Sequence, residues 1–195
     1  MDSKNTNNNE QTNNAPQGQI SVKRRLEIYD WVQCIVYALV ACILVFVFFF
    51  RTIDVVGHSM EPTLMEGDKL ITSNLFYEPK YGDIVILRKD SFSEQPIVKR
   101  VIATEGQVVD IDFDKGIVYV DGEALSEPYI AEKTTRPIDF DGKVTVPKGC
   151  VFVMGDNRNK STDSRDERIG MVDKRYIIGH EIVRVFPISE FGLVD

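Results

Sequence analysis

A chain of 195 residues is long enough for one compact domain with an appendage and too short for two full domains. A net charge of −7, with no cluster of basic residues beyond Lys23-Arg24-Arg25, argues against nucleic acid as a partner, because phosphate contacts need a concentrated excess of Lys and Arg. Three scattered cysteines do not make a disulfide framework, and two histidines without zinc-ligand spacing give no reason to expect a metal or any other cofactor.

Residues 1–22 form the first segment. From Met1 to Gln19 they are rich in Asn, Gln, Thr and Ser and carry too little apolar surface to offset the entropy of ordering, so a disordered tail is expected. Residues 23–51 hold a basic flank and then an almost wholly apolar, uncharged run from Trp31 to Phe50. At about 1.5 Å per residue, that run spans roughly the 30 Å of a hydrocarbon core. A cleavable signal sequence would have an apolar core of about 7–15 residues followed by a small-x-small site. Phe48-Phe49-Phe50-Arg51 follows instead, so a retained, single-pass transmembrane helix is predicted. Cys34 and Cys42 lie inside it and read as small apolar residues. Lys23, Arg24 and Arg25 flank its start, whereas Arg51 alone lies near its end, which places the N-terminus in the cytoplasm and residues 52–195 outside.

Residues 52–195 read as a mostly β domain. Short apolar or alternating runs at 83–87, 107–113, 116–120 and 149–153 predict strands, separated by turn signals at Tyr81-Gly82-Asp83, Asp121-Gly122 and Asp141-Gly142. The run from Val118 to Glu123 is that of a strand entering a hairpin. Helical periodicity is weak and confined to Met60–Glu66 and Asp163–Arg168. Cys150 reads as a buried thiol in a strand.

Three constellations in this domain carry chemistry. In Gly57-His58-Ser59-Met60-Glu61-Pro62-Thr63-Leu64, a serine follows an extended apolar stretch and precedes a turn. Gly57 permits an unusual backbone conformation and close substrate approach, and the Ser59 amide is a candidate oxyanion donor. The blander alternative is a serine capping the turn that begins at Glu61-Pro62. His58 adjoins Ser59 on extended chain, where neighbouring side chains point to opposite faces, so it is poorly placed as a base; His180 remains open in a Ser-His-Asp arrangement. In Pro96-Ile97-Val98-Lys99-Arg100-Val101-Ile102-Ala103, a lysine interrupts a strand-like apolar run, and burial would favour loss of its proton. At a pKa near 10.4 only about 1 lysine in 2,500 is neutral at pH 7, whereas at about 8 roughly one in ten is. An exposed Lys99 on an alternating strand is the competing reading. The third constellation, Gly155-Asp-Asn-Arg-Asn-Lys-Ser-Thr-Asp-Ser-Arg165, starts directly at the end of a predicted strand, where a scaffold presents functional groups.

These segments, in this order behind a membrane span, resemble the type I signal peptidases. GHSMEPTL, YGDIVILR (81–88), VKRVIATEG (98–106) and GDNRNKSTDSR (155–165) look like the family's boxes, and the short outer domain is similar to the smaller Gram-positive members. The resemblance implies a coiled, mainly antiparallel β-sheet catalytic domain behind one N-terminal transmembrane helix, with residues 107–146 as a variable β-hairpin region. It also implies an endopeptidase that removes signal peptides from secretory preproteins, with Ser59 as nucleophile and Lys99 as general base. Ser161 would hydrogen-bond and orient the Lys99 amine, and Asp163 with Arg165 would form a supporting ion pair. The oxyanion would be met at the Ser59 amide and Gly57. Substrate would lie as an added strand between the segments before Ser59 and Lys99, with Val55, Met60 and Val98 shaping pockets for small residues, and membrane lipid would be a second partner.

Two positions depart from the family pattern: Gly57 stands where some relatives have a hydroxyl, and Lys160 where Asn is more usual. Alternative readings are a Ser-Lys protease dedicated to one pilin or secreted protein, and a catalytically silent, membrane-tethered β module that binds exported partners. A self-cleaving repressor with the same dyad would need a DNA-binding domain in place of the span.

Overall fold

The computed structural model describes residues 17–89, 92–93 and 95–194. Most of the tail expected to be disordered, residues 1–16, lies outside the described residues. The chain divides into two units, 1–46 and 47–195.

Helix α1 (Gln17–Phe49) takes in residues 17–22 as well as the predicted span, since helix formers such as Lys23, Arg24, Arg25 and Leu26 let the helix start ahead of the apolar run. Within it, Arg24–Phe49 contains an 18-residue window of mean hydropathy 2.8 and is long and apolar enough to cross a membrane. Its apolar side chains project on every side and none is buried, a surface consistent with a membrane-spanning helix.

The second unit is built from eleven strands among the described residues: β1 (Arg51–Asp54), β2 (Lys69–Ser73), β3 (Ile84–Leu87), β4 (Ile97–Thr104), β5 (Val108–Asp112), β6 (Ile117–Val120), β7 (Glu123–Ala124), β8 (Lys143–Thr145), β9 (Cys150–Met154), β10 (Val172–Asp173) and β11 (Ile177–Phe186). Seven form a sheet of order β1-β2-β11-β3-β4-β9-β10 and four a smaller one of order β7-β6-β5-β8. Every pairing is antiparallel. The mainly antiparallel β fold is therefore as expected, and four of its strands fall on the four predicted runs. The β6–β7 hairpin turns at Asp121 (φ 54°) and Gly122 (φ 87°), the left-handed pair that a two-residue loop of this type demands.

Two consequences of this order prepare the site. Passing from β1 through β2, β11 and β3 to β4 takes four antiparallel steps, so β1 and β4 run the same way. Beyond β1, Val55 joins Val98 of β4 in one buried cluster with Met60, Leu64, Leu70, Ile84 and Ile86, so the sheet curls until the two share a core. A second cluster joins Ile102, Phe152 and Met154 of the large sheet to Val109, Ile111, Val118 and Val120 of the small one. These inward residues alternate with partly buried ones along β5 and β6.

The weakly helical segments are turns. Met60–Glu66 carries a single helix-like bond, from Leu64 N to Met60 O (3.0 Å). In Asp163–Arg168 the Asp163 and Asp166 carboxylates accept from the backbone N–H groups of Arg165 (3.3 Å) and Arg168 (3.0 Å), local bonds that compete with a helix. Cys150 is only partly buried, because it opens β9 at the sheet's rim.

Candidate active site

The turn that carries Ser59 is an extension of β1. Val55 N donates to Asp68 O (2.8 Å) and Gly67 N to Val55 O (2.9 Å), which prolongs the β1–β2 ladder by one residue. Gly57 then turns the chain at φ +82°, with open space where a side chain would stand, so glycine is needed for its backbone conformation rather than for clearance. Met60 and Leu64 anchor the far side in the core. From behind, Asn157 N donates to Ser59 O (3.0 Å) and Asn157 Nδ2 to His58 O (3.0 Å).

Lys99, on β4, is only 3% exposed. Its amine donates to Ser59 Oγ (2.7 Å) and to Val98 O (2.9 Å). Burial pushes its pKa down to about 8, against the pull of the Asp163 and Asp156 carboxylates and with the help of the Arg165 charge. A lysine of that pKa is neutral in roughly one molecule in ten at pH 7, and its lone pair can then accept the Ser59 proton.

Behind the pair lie three buried Arg–carboxylate pairs. Arg165 grips Asp163 at 2.8 Å through both Nε and Nη2, and Gly155 N donates to Asp163 Oδ2 (3.1 Å). Burial alone would raise the Asp163 carboxyl, but the Arg165 hydrogen bonds and charge, with the Gly155 amide, hold it below the usual range. Arg100 bonds Asp156 through Nε (2.9 Å) and Nη2 (2.8 Å), and Thr63 Oγ1 donates to the same carboxylate (2.5 Å). Arg158 bonds Glu127 through Nη1 (3.1 Å) and Nη2 (2.6 Å). Each guanidinium fork meets a carboxylate in two places, the geometry that best offsets desolvation.

A serine hydroxyl held against a buried, proton-losing lysine is the arrangement of a Ser-Lys hydrolase. The family model described as Signal peptidase, peptidase S26 matches residues 28–186. The chain belongs to the signal peptidase family.

Signal peptidase I of Bacillus licheniformis is 37% identical to this peptidase over 186 residues, 90% of this chain and 97% of its own. Signal peptidase I T of Bacillus subtilis is 37% identical over 181 residues, 87% and 92% of the two chains. The crystal structure of a signal peptidase I from Enterococcus faecalis matches 53% of this chain and 96% of its own, at 31% identity and a TM-score of 0.44.

The peptidase thus brings Ser59 and Lys99 together, with Val55, Met60 and Val98 in one cluster beside them and Asp163 paired with Arg165. The expected hydrogen bond from Ser161 to Lys99 is not made. Lys99 spends its contacts on Ser59 and Val98, while the buried Ser161 hydroxyl lies beside Gly155 and against the Asp163 carboxylate without reaching hydrogen-bond geometry. Nor is the Gly57 amide free: it donates to Glu66 Oε1 (3.3 Å). Among the described residues nothing accepts from the Ser59 amide. His58 turns outward to Glu61 (2.8 Å), and His180 stacks on Tyr77 (3.9 Å between ring centres). Val85 is paired with both His180 and Lys99, so the two backbones stand two strands, about 10 Å, apart.

Sequence reasoning missed Gly155, Asn157, Arg158 and Glu127. A side chain on Gly155 would collide with the Ser59 carbonyl and the Ser161 side chain, so a residue without one is required there. Asn157 and Arg158 stand inside a segment already singled out, but Glu127 has no local signal.

Proposed function

We infer that this peptidase cleaves signal peptides from secretory preproteins through Ser59 as nucleophile and Lys99 as general base. The observation that carries the reading is the 2.7 Å contact between the Ser59 hydroxyl and a lysine amine buried deeply enough to lose its proton near neutral pH. Neutral Lys99 takes the hydroxyl proton as Ser59 Oγ attacks the scissile carbonyl, and the Ser59 amide meets the developing oxyanion. The Lys99 ammonium then protonates the departing amine and, neutral again, takes a proton from the water that releases the acyl group. Asp163 with Arg165, and Ser161 at Gly155, hold the wall against which the pair sits.

The substrate lies as an extra strand. β4 pairs with β9 only from Arg100 onward, which leaves the Ile97–Lys99 edge without a strand neighbour among the described residues, and the outer edge of β1 is open as well. An extended segment between them finds main-chain partners on both sides, while Val55, Met60 and Val98 wall shallow pockets that favour small-x-small sequences. α1 anchors the enzyme in the lipid bilayer, with the tail (1–22) on the cytoplasmic side of the basic flank and span (23–51). The catalytic domain (52–195), including the small sheet within 107–146, lies outside, in keeping with the charge imbalance across the span.

The test is cleavage of a model preprotein bearing an Ala-x-Ala site by the detergent-solubilised protein from pH 6 to 10. Ser59→Ala and Lys99→Ala are each expected to abolish cleavage, and the wild-type rate to rise with pH through about 8 as Lys99 loses its proton. Cleavage that survives Lys99→Ala would sink the dyad.

A further inference from the structure

Glu127 lies in the loop after β7, in the variable region to which the motifs assign no chemistry. Yet this loop reaches the support of the nucleophile at several points. Tyr129 lays its ring over the Arg100 guanidinium at 4.1 Å, and Ala131 N donates to Asp156 O (3.4 Å). The strongest tie is Glu127 itself, whose side chain is 6% exposed against an Arg158 side chain that is fully buried. Held by Glu127 at Nη1 and Nη2, Arg158 uses its Nε to donate to Gly155 O (3.0 Å). Gly155 is the residue packed against the Ser59 carbonyl and Ser161, and two residues on, Asn157 bonds that same Ser59 carbonyl.

An unbroken chain of contacts therefore runs from a carboxylate outside the motif segments to the backbone of the nucleophile. Arg158 cannot stay buried without an anion, because an unpaired guanidinium in this interior is far costlier than a paired one. If it moved toward water it would release the Gly155 carbonyl, and with it the turn that sets where Ser59 stands relative to Lys99. A misplacement of about 1 Å at a reacting centre costs on the order of 100-fold in rate.

We propose that Glu127 is a positioning residue for the Ser59–Lys99 pair, acting through Arg158 and the Gly155 carbonyl. This rests on the dyad reading above. It is tested on the full-length protein in detergent with the model preprotein, measuring kcat and KM per folded molecule, with the folded fraction taken from thermal unfolding. Glu127→Gln keeps the side chain's shape but removes its charge, and is expected to lower kcat by about tenfold or more with KM within about twofold. Glu127→Asp, which keeps the charge, should recover part of that loss. In an Arg158→Gln background the Glu127→Gln change should cost less than about twofold more, because the partner through which it acts is gone. Unchanged kcat in Glu127→Gln, or the same loss in both backgrounds, overturns the proposal. Should Glu127→Gln fail to fold, Glu127→Asp decides: reduced kcat at unchanged KM supports the role, and wild-type kcat removes it. Cleavage persisting in Ser59→Ala would instead remove the dyad reading, so the two failures are distinguishable.

Discussion

Lys99 shows how one side chain sets stability and chemistry against each other. Its amine titrates at about 8 in the folded protein and at about 10.4 in the unfolded chain, so between those values the unfolded state binds more protons and stability rises with pH. Below about pH 8 the buried ammonium costs on the order of 3 kcal/mol. Lys99→Met is therefore expected to abolish cleavage and to gain about 2–3 kcal/mol of stability at pH 7, with the gain shrinking toward pH 10, as urea unfolding at several pH values would show. Asp163→Asn should act in the opposite direction on stability, because it leaves the buried Arg165 without its carboxylate, at a cost of about 3–5 kcal/mol. It also removes an anion that raises the Lys99 pKa, so the rising limb of the pH–rate profile should move below about 8. The wild-type contribution of Asp163 is present above its unfolded pKa of about 3.9 and is lost as pH falls through the lower folded value. Ser59 and Lys99 were each legible as candidates in the sequence, since a lysine inside an apolar strand run is itself a signal, and their pairing was what the family resemblance implied. The partners of Ser161 were not, because a hydroxyl's bonds depend on backbone that arrives from elsewhere in the fold.

Among the elements, the turn at Gly155 is the tightest constraint. It ends β9 and lets the Ser59 carbonyl, the Ser161 side chain and the Asp163 carboxylate converge on one backbone unit. Gly155→Ala would force these apart and is expected to lower kcat by about 100-fold or more. Gly57→Ala, with open space around it but φ at +82°, should cost only about 1 kcal/mol of stability. Comparing the kcat and melting temperature of the two variants separates steric crowding from backbone strain, and equal effects would contradict the assignment. The Asp121-Gly122 hairpin was readable from two adjacent residues because its turn type is a local matter. The open edges of β1 and β4 have no such local mark and were expected only from the family resemblance, because they require β4 to lose its β9 neighbour at Lys99 while β1 comes round from the far edge of the sheet.

At the scale of the whole molecule, the two units differ in the solvent they demand. From Arg24 to Phe49 the helix buries none of its apolar surface within the chain, whereas residues 47–195 contain all three buried clusters. Removing residues 1–46 is accordingly expected to leave the melting temperature of the β unit within a few degrees of the full chain, since all three buried clusters are made by residues 47–195 themselves. Cleavage of a short peptide should persist, while that of a membrane-inserted preprotein should fall because the two are no longer confined to one surface. A truncated protein that melts far lower, or that loses peptide cleavage, would show that the anchor supports the fold.

The sequence by itself determined the long apolar run, the alternation of the strands and the candidacy of Ser59 and Lys99, because each is written in the character of near neighbours: length of apolar run, period of two, a charge inside an apolar stretch. Tertiary structure alone decided that β1 and β4 run parallel around a shared core, that Arg100 and Arg158 join Arg165 as buried arginines paired with carboxylates, and that Glu127 closes the last of these pairs. Those arrangements are products of long-range closure. A residue such as Glu127 has no local pattern to mark it, since its energy comes entirely from a partner 31 positions away that must be buried before the pairing matters.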